Sequence, residues 1–252
     1  MGSFTIHATG SKIRLIRFTA VFIVLLSLLS GCMYPEEELT KNQIPYQDQI
    51  QSVQNAVDQF QKDNNGILPI KTKEANTPYY QKYPIDFKKI VPRYMAEPPG
   101  NAYESGGVFQ YVLIDEEKNP TVKLFDVRLA DQVQDVVIRL NIYRQSHGYP
   151  PFKEIISPNV YTLDHKKMGY KEPPTVMSPY TQKELHLVIG NDGQIYVDYT
   201  PDLIKALKEK GKALSPGTDI RGILTEDSLF VPAYSLPYSI DPKTKKPIFI
   251  NN

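Results

Sequence analysis

The chain has 252 residues, of which 29 are basic (Lys or Arg) and 28 acidic, so its net charge at pH 7 is +1. This balance excludes the strongly basic footprint of a nucleic-acid-binding protein. The only cysteine, Cys32, excludes a disulfide within the chain, and the 21 prolines and 17 tyrosines indicate many turns and extended segments.

The N-terminal residues have the parts of a secretory signal peptide. Lys12, Arg14 and Arg17 form a basic region without acidic residues, and residues 18–29 form an apolar stretch shorter than a typical spanning helix. The tetrad Leu29-Ser30-Gly31-Cys32 resembles the bacterial lipobox. In that motif lipoprotein signal peptidase cuts before the cysteine, and a diacylglyceryl group is joined to its sulfur.

We therefore predict cleavage between Gly31 and Cys32, with the lipid on Cys32. Acyl chains contribute about 0.8 kcal/mol per buried CH₂, so two chains on one residue would hold the protein on a membrane. Residues 1–31 are then the signal peptide and residues 32–44 a polar tether, which predicts an anchored protein at the outer face of the cytoplasmic membrane. The alternative is an uncleaved transmembrane helix over residues 13–31.

The next segment, residues 45–128, is predicted to form a helix followed by a β-hairpin. Apolar residues at positions 50, 53, 57 and 60 share one face of a helix that Asn64-Asn65-Gly66 ends. Two β-rich runs, 108–114 and 121–127, flank a charged loop and predict the hairpin.

The same order of elements returns in residues 129–200. An apolar stripe from Leu129 to Tyr143 predicts a second helix that stops at His147-Gly148. Residues 184–189 and 194–199 then flank a tight-turn signal and predict a second hairpin.

Two further patterns bear on the organisation of the chain. Glu-Pro-Pro precedes the hairpin in both segments, at 97–99 and 172–174, which favours a degenerate internal duplication, with coincidence as the alternative.

Residues 201–252 are predicted to form a short helix up to Gly211, with closing strands at 229–233 and 247–250. The predicted fold class is α+β, with two helix-plus-antiparallel-hairpin units followed by a C-terminal helix and strands.

Residues 50–114 resemble the globular region of pseudopilins and Gram-positive pilin-like proteins. The resemblance lies in the helix that ends at Asn65-Gly66, the proline Pro69, the element Pro99-Gly100-Asn101-Ala102-Tyr103 and the hairpin that follows. It implies a pilin-like fold for the first unit. The lipobox stands where pilins keep their hydrophobic N-terminal helix, so the resemblance does not extend to a filament subunit.

Over its whole length the chain resembles the uncharacterised YphF-type lipoproteins of bacilli. The matching residues include Leu29 to Cys32, Tyr34-Pro35-Glu36-Glu37, Tyr83-Pro84-Ile85-Asp86-Phe87 and Gly193-Gln194-Ile195-Tyr196. This resemblance implies a lipid-anchored protein of a Gram-positive cell envelope, and it implies no activity.

The sequence contains no recognisable catalytic, cofactor-binding or metal-binding motif. No Gly-x-Ser-x-Gly elbow occurs, and no histidine has a partner at the spacing of His-Glu-x-x-His. Oxygen atoms of Asn191, Asp192 and Asp198 could bind calcium. The alternative is a hairpin turn without an ion, which accounts for the same residues. A cell-wall enzyme would require Asp164, His165 and Glu184 to converge.

The tyrosine-rich, proline-rich segments are the candidate binding surface. Exposed tyrosines would suit a protein or glycan partner, because each offers a rigid apolar face and a hydroxyl group. The alternative, which we favour, is that these segments bury their tyrosines against the sheets. The candidates are Tyr79, Tyr80, Tyr83, Tyr94, Tyr170 and Tyr180.

The predicted function is a non-enzymatic binding or assembly module of the envelope. It would be attached to the membrane through the lipid on Cys32 and would bind an envelope protein or a glycan, but no nucleic acid. The alternative is a small-molecule or glycan receptor with a cleft between the two units.

Overall fold

The computed structural model describes residues 43–75, 77–211 and 214–250. The predicted signal peptide, its cleavage site at Gly31 and the lipid-bearing Cys32 lie outside the described residues. Within the described part, no helix combines the length and the apolar character that crossing a membrane requires. Pro45–Asn252 forms one compact unit.

The first predicted helix and hairpin are confirmed. Helix α1 spans Gln43–Asp63 and buries Val53, Ala56 and Val57. It stops because Asn65 and Gly66 have positive φ angles, which end the helical path. Short helices α2 (Tyr79–Lys82) and α3 (Phe87–Ile90) follow. Strands β1 (Phe109–Ile114) and β2 (Thr121–Asp126) then pair antiparallel in unbroken register.

The second predicted helix is confirmed as α4, Val127–His147. Its start is fixed by Asp126, whose side chain accepts a hydrogen bond from the Arg128 amide at 2.9 Å. Its end is fixed by Gly148, which takes the left-handed conformation and donates its amide hydrogen to the Arg144 carbonyl. The stripe from Leu129 to Tyr143 is the buried face.

Helix α4 packs on a five-stranded antiparallel sheet. The predicted hairpin is present as β6 (Glu184–Gly190) and β7 (Ile195–Val197). Three strands that the sequence analysis did not predict complete the sheet: β3 (Phe152–Ser157), β4 (Val160–Leu163) and β5 (Thr175–Met177). The order is β3-β4-β6-β5, and β7 also pairs with β6.

The C-terminal helix is confirmed as α5, Thr200–Lys210, and strands β8 (Tyr238–Ile240) and β9 (Pro247–Phe249) form a hairpin. The strand predicted at 229–233 is wrong. That segment makes only a single bridge, from Phe230 to Leu124 of β2. The ladder stops because the Ala233 amide, the next donor in line, turns back and donates to the Val231 carbonyl.

The C-terminal residues join the apolar clusters of the molecule. Ile220, Ile223 and Leu224 belong to the cluster between α4 and its sheet, whereas Phe230 packs against the cluster under α1. Val231 lies in a third cluster with Tyr80 and Val112. The α+β fold class is therefore confirmed, and the C-terminal segment is part of the core. The duplication and the division at 45–128, 129–200 and 201–252 stay predictions.

Candidate functional site

The four tyrosines predicted in the first half make contacts within the protein. Tyr80 is buried, with the Arg221 guanidinium 5.0 Å from its ring centroid. Tyr79 is the most open, and its hydroxyl accepts the Asp115 amide hydrogen at 2.8 Å. Tyr83 and Tyr94 are half-buried against the cluster under α1.

The two tyrosines predicted in the second half are also held in place. The Tyr170 hydroxyl donates to Asp135 at 2.6 Å, and the Arg139 guanidinium lies 4.3 Å from the ring centroid. Tyr180 donates to the Phe230 carbonyl, and burial raises the pKa of its hydroxyl far above the ordinary value. These contacts fix the tyrosines in the fold, and a binding surface built from them stays a prediction.

The exposed apolar side chains concentrate elsewhere. The described residues include 12 large apolar side chains that are exposed, and six of them fall between positions 138 and 156. They are Ile138, Ile142, Tyr149, Phe152, Ile155 and Ile156. A concentration of this kind on a folded protein marks an interaction surface.

One part of this concentration lies on α4. Ile138 and Ile142 stand one helical turn apart, 50% and 60% exposed, on the side away from the buried stripe. The neighbouring side chains Asn141 and Gln145 are exposed and uncharged. We call these four residues the helix face.

The other part lies on and just before β3. Five of the six residues of β3 have exposed side chains, which is unusual for a strand because alternate residues normally point inwards. The register with β4 shifts twice, between Phe152 and Ile155 and again between Ile155 and Ser157. Each bulge breaks the alternation. We call Tyr149, Phe152, Ile155 and Ile156 the β3 patch.

A buried polar cluster lies at the start of α5. The Asp202 carboxylate accepts hydrogen bonds from the Ser178 hydroxyl at 2.9 Å and from the Thr181 hydroxyl at 2.7 Å. Ser178 in turn accepts the amide hydrogens of Tyr180 and Thr181. The cluster ties the turn after β5 to α5, and it has no opening to solvent because both Ser178 and Asp202 are buried.

Asp202 gives the protein a testable pH dependence. Burial raises the pKa of its carboxyl in the folded state, so its contribution to stability is full below the pKa of the unfolded chain and is lost as pH rises through the folded-state pKa. We expect the stability advantage of wild type over Asp202→Asn to be largest in acid and to shrink as pH rises above the ordinary pKa of an aspartate, about 4. Urea unfolding at a series of pH values measures it.

Asp241→Asn is the control of opposite sign. Hydrogen bonds from the backbone of Thr244 and Lys243 lower the pKa of the Asp241 carboxyl. The free energy of unfolding of wild type should therefore increase relative to that of Asp241→Asn as pH rises. If stability depended on pH in the same direction for both variants, the opposite pKa shifts of Asp202 and Asp241 would be contradicted.

The residues considered for metal or enzyme chemistry do not converge. Asp192 accepts from the Gln194 amide and the Tyr196 hydroxyl, and Asp198 accepts from the Thr200 amide and the Tyr238 hydroxyl. No hydrogen bond or ion pair among the described residues joins Asp164, His165 and Glu184. Over the same residues, no three His, Cys, Asp or Glu side chains are grouped to hold a metal ion.

Comparison with known proteins bears on the first helix and hairpin. Residues 46–126 match the YphF family N-terminal domain, and this stretch runs from α1 to the end of β2. No curated protein and no solved structure matches the chain. The segment from α1 to β2 is therefore similar to the YphF family N-terminal domain, and the match supports a YphF-type protein.

Proposed function

We propose that this protein is a binding module of the bacterial cell envelope, anchored by a lipid on Cys32 at the outer face of the cytoplasmic membrane, and that it docks an envelope protein on the helix face. The observation that carries the proposal is the exposure of Ile138 and Ile142 on a helix whose opposite side is fully packed. The lipobox residues 29–32 supply the proposed location.

The chemistry of the helix face suits a protein partner. An apolar pair one turn apart is the pattern by which a helix docks into a groove of another protein. Asn141 and Gln145 add hydrogen-bonding groups without charge on one side of the pair, and the exposed Asp135–Arg139 ion pair lies on the other side. The partner is therefore expected to present an apolar groove with polar edges.

Capture from intact cells after brief crosslinking tests this function. We expect one envelope protein to come with the tagged wild type in near-equal amount. The variant Ile138→Ser/Ile142→Ser should recover about a hundredfold less or lower still, because the two lost side chains together remove buried apolar area worth about 3–6 kcal/mol. The measurement is quantitative mass spectrometry of the captured material.

Two variants control this experiment. Ile204→Ser changes another exposed isoleucine of a helix, on α5, and should leave recovery unchanged. Cys32→Ser removes the proposed lipid site and should abolish capture through loss of the anchor. Undiminished recovery with Ile138→Ser/Ile142→Ser would rule out docking on the helix face.

A receptor for a small polar ligand or glycan is the second candidate. A groove of about 420 Å³ lies at the C-terminal end of α4, lined by Asn141, Arg144, Gln145 and Gly148. Its guanidinium and amide groups could hydrogen-bond a sugar or a carboxylate. Shifts of these backbone amides in an NMR titration with cell-wall sugar fragments would favour this candidate, and unchanged spectra would count against it.

A further inference from the structure

The β3 patch differs from the helix face in its charge. Ile155 is 74% exposed, the highest value among the large apolar residues described, and Tyr149, Phe152 and Ile156 are also exposed. Residues 144–172 contain five basic and three acidic residues, whereas residues 32–252, the proposed mature chain, contain two more acidic than basic residues. The segment that carries the apolar patch is therefore more basic than the rest of the proposed mature chain.

All five basic side chains of this segment are exposed to solvent. Two of its three acidic groups pair with lysines of the same segment, Glu154 with Lys153 at 3.3 Å and Asp164 with Lys167 at 3.8 Å. Arg144, Lys166 and Lys171 are exposed. The segment thus presents a surplus of positive charge.

A backbone contact brings the lysines to the patch. The amide of Asp164 donates to the carbonyl of Pro151 at 2.7 Å, which places the 3-10 turn His165–Met168 beside the start of β3. Lys166 and Lys167 lie on this turn. The two lysines therefore lie beside the start of β3, where Phe152 is exposed.

From this combination we infer that the β3 patch rests on an anionic lipid membrane. Aromatic and branched side chains that enter the boundary between headgroups and acyl chains, with lysines around them, are the features of proteins that lie on anionic bilayers. The inference rests on the proposed function, because the lipid on Cys32 would hold the protein at that membrane.

The shape of β3 argues against a partner strand at the same place. Irregular segments of the chain cover other sheet edges. The Ile85 amide donates to the Tyr111 carbonyl of β1, and the Leu124 amide of β2 donates to the Leu229 carbonyl. The Val197 amide of β7 donates to the Tyr234 carbonyl. Among the described residues, no comparable backbone bond reaches the outer edge of β3 at 153–157. Its two bulges disfavour a regular added strand. Water and headgroups at a membrane interface can satisfy those backbone groups, and the hydrocarbon interior cannot.

Vesicle flotation tests the inference with residues 33–252 made without lipid, since Pro45–Asn252 is one compact unit. The vesicles contain phosphatidylcholine alone or equal parts of phosphatidylcholine and phosphatidylglycerol. We expect binding to the anionic vesicles only, weakened by added salt. The variant Ile155→Ser/Ile156→Ser should lower the partition coefficient about a hundredfold or more, and Lys166→Gln/Lys167→Gln should lower it about thirtyfold.

Matched controls are Ile67→Ser/Ile248→Ser, which changes exposed isoleucines elsewhere, and Lys205→Gln/Lys208→Gln on α5. Both should bind as wild type does. Absent binding to anionic vesicles, equal binding to neutral ones, or a wild-type dimer that Ile155→Ser/Ile156→Ser dissociates would each overturn the inference. Capture through the helix face does not involve β3, so failure with vesicles leaves the proposed function standing, and failure of capture leaves the vesicle result intact.

Discussion

Arg221→Ala is expected to lower the free energy of unfolding by about 2 kcal/mol, mainly because the buried Ser235 carbonyl loses the guanidinium that donates to it. Arg221 is only 7% exposed. Its guanidinium pairs with both carboxylate oxygens of Asp219, donates to the Ser235 carbonyl at 2.8 Å and lies over the Tyr80 ring. Truncation leaves that carbonyl without its donor and Tyr80 without the packed cation.

Arg93→Ala is the matched control for Arg221. Arg93 also pairs with a carboxylate, Asp63, at 3.2 Å and also lies over a tyrosine ring, but its side chain is 74% exposed. Because exposed ion pairs contribute little, the control should change stability by no more than about 1 kcal/mol. Denaturant unfolding at neutral pH measures both, and similar losses for the two variants would show that burial of Arg221 is not decisive.

Tyr238→Phe is expected to lower the free energy of unfolding by about 2 kcal/mol, although it removes a single oxygen atom. The Tyr238 side chain is fully buried. Its hydroxyl accepts the Tyr199 amide hydrogen at 3.0 Å and donates to Asp198 at 2.9 Å. Without that oxygen, the buried Tyr199 amide has no acceptor, which is the costly half of the change.

Thermal and denaturant unfolding of Tyr238→Phe beside Tyr103→Phe checks this expectation. Tyr103 is well exposed, so its hydroxyl is hydrated in both states and the control should match wild type within about 0.5 kcal/mol. An unchanged stability for Tyr238→Phe would mean that a water molecule replaces the hydroxyl.

The three longer helices, α1, α4 and α5, could be predicted from the sequence because their signals are local. The stripe from Leu129 to Tyr143 has helical spacing, and Gly148 supplies the left-handed cap that ends α4. Strands β3 and β4 could not be found in this way. The bulges in β3 abolish the alternation on which strand prediction depends, and β4 has only four residues. The sheet therefore depends on tertiary pairing.

The candidate surfaces were harder to predict than the fold. Tyr80 and Tyr180 were predicted as surface candidates from the local tyrosine content. Whether a tyrosine is buried depends on residues far along the chain that contact it, here Arg221 and Phe230. A usable signal was present on α4. Ile138 and Ile142 fall outside the apolar stripe that the periodicity defines, so they had to be exposed unless another element covered them.

The pairing of β2 with residues 229–231 sets an order of events during folding. Leu124 exchanges backbone hydrogen bonds with both Leu229 and Val231. The hairpin in the segment similar to the YphF family N-terminal domain therefore lacks one neighbour until a stretch about a hundred residues later has been synthesised. A chain released early would carry an uncovered edge strand, the kind of surface that recruits other chains into aggregates. The N-terminal hairpin thus depends on C-terminal residues that are made last, which gives chaperones a reason to hold the first half of the chain.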